Sequence, residues 1–283
     1  MTSLRVAVVT GSNKGIGFGI VRTLCKQLKN GIVYLTARDE GRGKEAVAKL
    51  NQEGLQPKFH QLDINDGESV TRLREHLKTV YGGVDILVNN AGIAFKRAST
   101  EPFGNQAAIT MATDYRGTLD VCHSFHPILK PHGRIVNVSS MNGVKAFDEL
   151  SEENKARFRA IKTEEDINLL LKDFIEAAKE GDHKSKGWPS SAYGTVKLGL
   201  ICGTKLLGEA VQKDRPQDDI LIMACCPGHV RTDMSSQQGV KTIDEGADTP
   251  VYFALLPSGS TEFNGKMYLD RALVEFIWSS LIL

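Results

Sequence analysis

The chain has 283 residues, 41% of them hydrophobic and 24% charged, and its 35 Lys and Arg against 34 Asp and Glu leave a formal net charge of +1. That length and composition fit one domain spanning 1–283 and exclude disordered, collagen-like and mucin-like chains. With no basic excess, neither a nucleic-acid backbone nor an anionic membrane surface is an expected partner. No apolar run reaches the ~18–20 residues that cross a bilayer. The amino terminus has too short an apolar stretch for a signal peptide, so a cytoplasmic protein is expected. Cys25, Cys122, Cys202, Cys225 and Cys226 form an odd set without a CxxC, and the His residues are scattered. No disulfide framework and no metal site follow from that pattern.

In chain order, short β-branched runs at 4–10, 32–36, 58–62, 85–89, 134–139 and 220–225 read as buried strands. Amphipathic stretches at 16–28, 43–53, 68–81, 106–129 and 192–213 read as the helices between them. Strands without a polar face need cover on both sides, so this alternation predicts an α/β fold, a doubly wound parallel sheet with helices on both faces. Residues 141–190 are longer and more charged than a loop there requires. Ser151 followed by Glu153, and Thr163 followed by Glu165 and Asp166, predict helix starts and hence a helical insertion. Residues 227–242, rich in Gly, Ser and Gln, read as a long loop after the sixth strand.

Directly after the first strand comes Thr10-Gly11-Ser12-Asn13-Lys14-Gly15-Ile16-Gly17-Phe18-Gly19, opening a helix. Gly11 allows the tight turn, while Gly15 and Gly17 let backbone approach a pyrophosphate and let the helix pack on the strand. The amides from Asn13 to Gly17, Lys14 and Ile16 included, then face the phosphates at the positive end of the helix. The second strand ends at Arg38 rather than at an acid, and Lys14 lies inside the loop. Two cations suit a ribose 2′-phosphate, which favours NADPH as cofactor, although Asp39 follows at once with the opposite sign.

The set Thr10-Gly-x-x-x-Gly15-x-Gly17, Asn89-Asn90-Ala91-Gly92, Ser140, Tyr193-x-x-x-Lys197 and Pro227-Gly228-x-Val230-x-Thr232 resembles the short-chain dehydrogenase/reductases, in order and over most of the chain. Gly187-Trp188-Pro189-Ser190-Ser191-Ala192-Tyr193-Gly194 and Ala224-Cys225-Cys226-Pro227-Gly228 are similar to the monomeric NADPH-dependent carbonyl reductases of animals. The resemblance implies a Rossmann-type sheet of about seven strands and NADPH-dependent reduction of small apolar ketones, aldehydes or quinones by a monomer. A dedicated hydroxysteroid or prostaglandin dehydrogenase, and a catalytically weak NADP(H)-binding regulatory protein, are the alternatives.

The residues support that chemistry. Reducing a carbonyl requires a hydride donor, a proton donor and stabilisation of charge on oxygen. Tyr193 can give the proton, and Lys197 at i+4 shares its helix face and would lower the phenol pKa. Ser140, at the carboxyl end of the fifth strand, can hydrogen-bond the substrate carbonyl. By resemblance, Tyr193 and Lys197 also contact the cofactor, Asn90 lies beside the adenosine ribose, Asp63 reaches the adenine amino group, and Pro227, Val230 and Thr232 form the loop over the nicotinamide. The family's usual Asn in the helix after the fourth strand is replaced here by Asp114, whose pairing with Lys197 would weaken the lysine's field and raise the Tyr193 pKa, giving reduction with an altered pH dependence or, as the alternative, a damaged activity. His229 occupies a position where similar proteins carry an aromatic facing substrate, and reads either as a pocket residue or as a solvent-facing loop histidine. Cys226 reads as a buried strand-end thiol, with a modifiable thiol as the alternative. The apolar tail from Phe276 to Leu283 suits packing on the domain or a partner.

Overall fold

A computed structural model describes residues 4–96 and 98–277. The apolar runs form strands β1 (Arg5–Val9), β2 (Gly31–Ala37), β3 (Lys58–Gln61), β4 (Val84–Asn89), β5 (Leu129–Val138), β6 (Leu221–Cys226), β7 (Met267–Leu269) and β8 (Ala272–Leu273). Their order is β3-β2-β1-β4-β5-β6-β7-β8, parallel throughout except for β8, which runs antiparallel to β7. The sheet has eight strands rather than about seven, because β7 and β8 are too short to carry a readable period. The chain builds outward from β1 to β3 and then crosses back to β4. The crevice at the carboxyl ends of β1 and β4 is where such sheets receive ligands.

Side-chain alternation along β1 shows why these strands lack a polar face. Val6 and Val8 enter one buried cluster and Ala7 and Val9 the other. On one side the sheet is covered by α1 (Gly15–Gln27), α2 (Glu40–Gln52) and α10 (Ile243–Ala254). On the other lie α3 (Gly67–Tyr81), α4 (Phe103–Thr110), α5 (Thr118–Phe125) and α9 (Ala192–Asp214). The helix expected over 106–129 is not continuous. A π turn at Met111–Gly117 separates α4 from α5, and a 3₁₀ turn at His126–Ile128, where Pro127 lacks an amide hydrogen, ends it before β5 begins at Leu129. Helix α10 has a capping box from Thr242 and Glu245, and the Pro250 within it obscures the helix at the level of sequence.

The insertion is helical, as α6 (Met141–Asp148), α7 (Glu152–Arg159) and α8 (Glu164–Glu180). Ser151 caps α7, accepting from the Asn154 amide at 3.2 Å. Thr163 caps α8, accepting from the Asp166 amide, while the Asp166 carboxylate accepts from the Thr163 amide. Thus anchored, α8 buries Ile167, Leu170, Leu171 and Phe174 against α4 and α9. Among the described residues no helix is long and apolar enough to cross a membrane. Of the apolar tail, Phe276 sets its ring edge-on to Phe147 at 6.0 Å and Ile277 is buried, while 278–283 lie outside the described residues. Thr163→Ala removes the cap of α8, and chemical denaturation is expected to show a loss of about 1 kcal/mol.

Candidate active site

Ser140 lies two residues past the end of β5 and caps α6, its Oγ accepting from the Asn142 amide at 3.1 Å. Tyr193 and Lys197 lie on the first turns of α9, which Ser191 caps by accepting from the Gly194 amide at 3.0 Å. Helices α6 and α9 approach backbone to backbone at Gly143, where a Cβ would sit 2.9 Å from the Leu198 nitrogen. This close approach brings Ser140 into hydrogen-bonding contact with the Tyr193 phenol. The pair opens onto a cleft of about 660 Å³ at the carboxyl ends of the strands, with Ile16, Phe95, Phe103 and Met234 among its apolar lining.

Lys197 is buried behind Tyr193. Its ammonium donates to the Val138 carbonyl at 3.2 Å and lies 3.1 Å from Asp114 Oδ2, with side-chain exposures of only 5% for Lys197 and 0% for Asp114. The other Asp114 oxygen accepts from the Ile93 amide at 2.7 Å. Burial alone lowers the lysine pKa, but Asp114 and Tyr193 outweigh it and hold the ammonium above its ordinary value. At the tyrosine, burial together with the upward effect expected of Asp114 prevails over the downward one expected of Lys197. Burial pushes the phenol up, Lys197 pulls it down, Asp114 pushes it up again, and the Ser140 hydrogen bond and Cys226 add smaller opposing effects, so the net direction is upward. Asp114 offsets much of the field that Lys197 alone would apply.

Beside this cleft the glycine loop turns from β1 into α1. Gly11 has φ +58°, and a Cβ there would lie 2.8 Å from Ala91 Cα. Asn90 braces the loop, donating from its side chain to the carbonyls of Thr10 (3.1 Å) and Gly11 (3.0 Å), while Thr10 Oγ1 accepts from the amides of Asn90 and Ala91. Lys14, at the N-cap of α1, makes no side-chain cap, so the first amides of that helix are open to an anion. Asn13, Gly15 and Ile16 are half-buried at this opening, with Gly17 buried beneath them. Arg38 is exposed at the end of β2. Asp39 is turned away from it as the N-cap of α2, accepting from the Arg42 amide at 2.8 Å. Asp63 is half-buried after β3, its Oδ1 taken by the Asn65 amide at 3.0 Å.

The segment after β6 is the long loop that its composition predicts, and it is tied down internally. Val230 and Lys241 form an isolated parallel bridge that closes its base, and Ser235 Oγ donates to the Val230 carbonyl at 2.7 Å. Pro227 and Val230 are buried, and Thr232 packs next to the glycine loop. Lys14 is engaged by this loop, pairing with Asp233 at 2.8 Å on the surface. Cys226 is the buried last residue of β6, its sulfur accepting from the Gly228 amide at 3.4 Å, and His229 is exposed at the cleft edge. Not read from the sequence were Phe103, Gln106 and Thr110, which line the cleft from one face of α4. Their spacing of three and four residues was the available signal.

The fold and this arrangement define a nicotinamide-dependent oxidoreductase scaffold of the doubly wound type, and residues 5–152 match the short chain dehydrogenase family. The chain belongs to that family. It is 50% identical to carbonyl reductase (NADPH) 3 of Rattus norvegicus over 270 residues, 95% of this chain and 97% of the relative. It is 49% identical to carbonyl reductase (NADPH) 1 of Bos taurus over 272 residues, 96% and 98% of the two chains. The structure of salutaridine reductase from Papaver somniferum is similar with a TM-score of 0.82 at 32% identity, covering 93% of this chain and 99% of that one.

The charge arrangement makes a signed prediction. A phenol gives up its proton only while protonated, and the Asp114 charge holds the Tyr193 pKa up. Asp114→Asn is therefore expected to move the alkaline limb of kcat/KM for reduction to lower pH. An unmoved limb would mean that the carboxylate does not act on the phenol.

Proposed function

We propose that this protein is an NADPH-dependent carbonyl reductase that reduces apolar ketones, aldehydes or quinones, acting as a monomer of one reductase domain in the cytoplasm. The observation that carries this reading is the convergence of Ser140, Tyr193 and Lys197 at a partly apolar cleft beside the glycine loop. NADPH fits the residues present: open amides at the start of α1, the Gly11 turn, and the exposed cations Lys14 and Arg38 with Asp39 turned to its own helix.

When bound, the cofactor supplies the hydride that reaches the carbonyl carbon. Arg38 and Lys14 would hold the 2′-phosphate, Lys14 by giving up its pair with Asp233, while Asn90 keeps the loop carbonyls fixed. Asp63 would reach the adenine, and Pro227, Val230 and Thr232 would border the nicotinamide. Ser140 donates to the substrate carbonyl oxygen and Tyr193 delivers the proton to it. Lys197 stabilises the phenolate left behind, with Asp114 positioning its ammonium. His229 borders the substrate at the outer edge. The complete Ser140, Tyr193 and Lys197 set argues against a binding-only protein.

The test is loss of NADPH absorbance with purified protein and a panel of quinones, aromatic aldehydes and steroid ketones. Turnover is expected with NADPH in preference to NADH and is expected to disappear in Tyr193→Phe. Arg38→Ala should narrow the NADPH preference by roughly tenfold, the worth of a charge-assisted hydrogen bond. Retained turnover in Tyr193→Phe would remove the assignment of the proton donor. The packing of α8 over α4 and α9 covers apolar surface beside the active-site helix, and this supports a monomer. Sedimentation at micromolar concentration is expected to give a 31.0 kDa species, and a dimer would refute that part.

A further inference from the structure

We propose that Ser190, oriented by His183, is a second hydrogen-bond donor in the substrate cleft and selects carbonyl compounds that carry a further acceptor away from the reacting carbonyl. The inference rests on the reductase reading and specifies its substrate class: aromatic or quinonoid carbonyls with a second carbonyl or ester oxygen.

Both residues lie in the connection from α8 to α9, whose path is held firmly. The Trp188 amide donates to the His183 carbonyl at 2.8 Å, and the buried Trp188 ring packs 5.6 Å from Phe174 and 6.3 Å from Phe158. The His183 ring lies tilted against Phe103, with ring centroids 4.7 Å apart, and Phe103 itself lines the cleft. Its Nε2 is 2.9 Å from Ser190 Oγ, and Ser190 lines the same cleft three residues before Tyr193.

The proton can be placed by elimination. Burial, and then Lys184, lower the His183 pKa against the weaker pull of Asp182, which favours the neutral ring. A neutral imidazole has one N–H and one lone pair. Nδ1 is buried and has no hydrogen-bond partner among the described residues. A buried N–H deprived of an acceptor is rarer than a buried acceptor left idle, so the lone pair belongs at Nδ1 and the proton at Nε2. Nε2–H then donates to Ser190 Oγ, and the Ser190 hydroxyl hydrogen is left to point at a ligand. His183 is thus a positioning residue and Ser190 a binding residue.

The experiment compares methyl 3- and 4-formylbenzoate with 3- and 4-sec-butylbenzaldehyde, pairs matched in shape but not in acceptor, with NADPH and purified full-length protein. The ratio of kcat/KM between ester and alkyl aldehyde is the readout, so intrinsic reactivity cancels between variants. Ser190→Ala and His183→Phe are each expected to lower that ratio about five- to tenfold, chiefly through KM, for at least one isomer. His183→Gln, which keeps an N–H near the Nε2 position, is expected to recover it. An unchanged ratio in Ser190→Ala overturns the subsite. A fall in His183→Phe that His183→Gln does not recover overturns the proton assignment. Failure of the unaltered protein to reduce either aldehyde removes the reductase reading itself, and is distinguishable from both.

Discussion

A buried ammonium organises the site. Lys197 places a positive charge where three elements meet, and an isolated cation there would cost several kcal/mol. The Val138 carbonyl at the end of β5 and the Asp114 carboxylate in the π turn meet that demand. The π turn belongs to the same requirement: the wider turn disturbs the helical register locally, and Asp114 within it reaches both Lys197 and the Ile93 amide. The break in the helix and the buried ion pair are therefore one feature.

The register of α9 on the sheet is set by a second buried polar chain. Asn89 on β4 donates to Asn137 on β5 at 2.9 Å, Asn137 donates to Thr204 on α9 at 3.0 Å, and Thr204 donates back to the Leu200 carbonyl at 2.8 Å. Apolar packing alone would allow small sliding of a helix on a sheet, whereas these bonds penalise it, since each broken one leaves a buried polar group unpaired. Two turns from Thr204, the position of Lys197 inherits that precision. The Asn89-Asn90 pair divides its labour accordingly, with Asn89 holding the sheet together and Asn90 the glycine loop.

The parts legible in the sequence were those governed by local rules. Strand runs without a polar face, the glycines after β1, and the caps at Ser151 and Thr163 each follow from the chemistry of a few adjacent residues. Ser140, Tyr193 and Lys197 were legible because their pattern is short and ordered. What escaped depends on distant partners. Nothing near Lys14 indicates that Asp233 engages it, and nothing near Asp39 weighs its helix cap against a nucleotide ribose. Of the effects on Tyr193, the lowering by Lys197 at i+4 and the opposing charge of Asp114 are visible in sequence, whereas burial, the largest, enters only once the fold closes.

That balance of charges bears on reaction direction. Carbonyl reduction consumes the phenolic proton, and alcohol oxidation needs the phenolate to receive one. A lysine acting alone would favour the phenolate and so assist the oxidative direction near neutral pH. Here the lysine is neutralised from behind by a carboxylate it must keep, because neither group is tolerable alone at that depth. The phenol is thereby held in the protonated state that donates, and Lys197 acts on it as part of a dipole rather than as a bare charge. A bond that first meets the demands of burial thus also biases Tyr193 toward reduction.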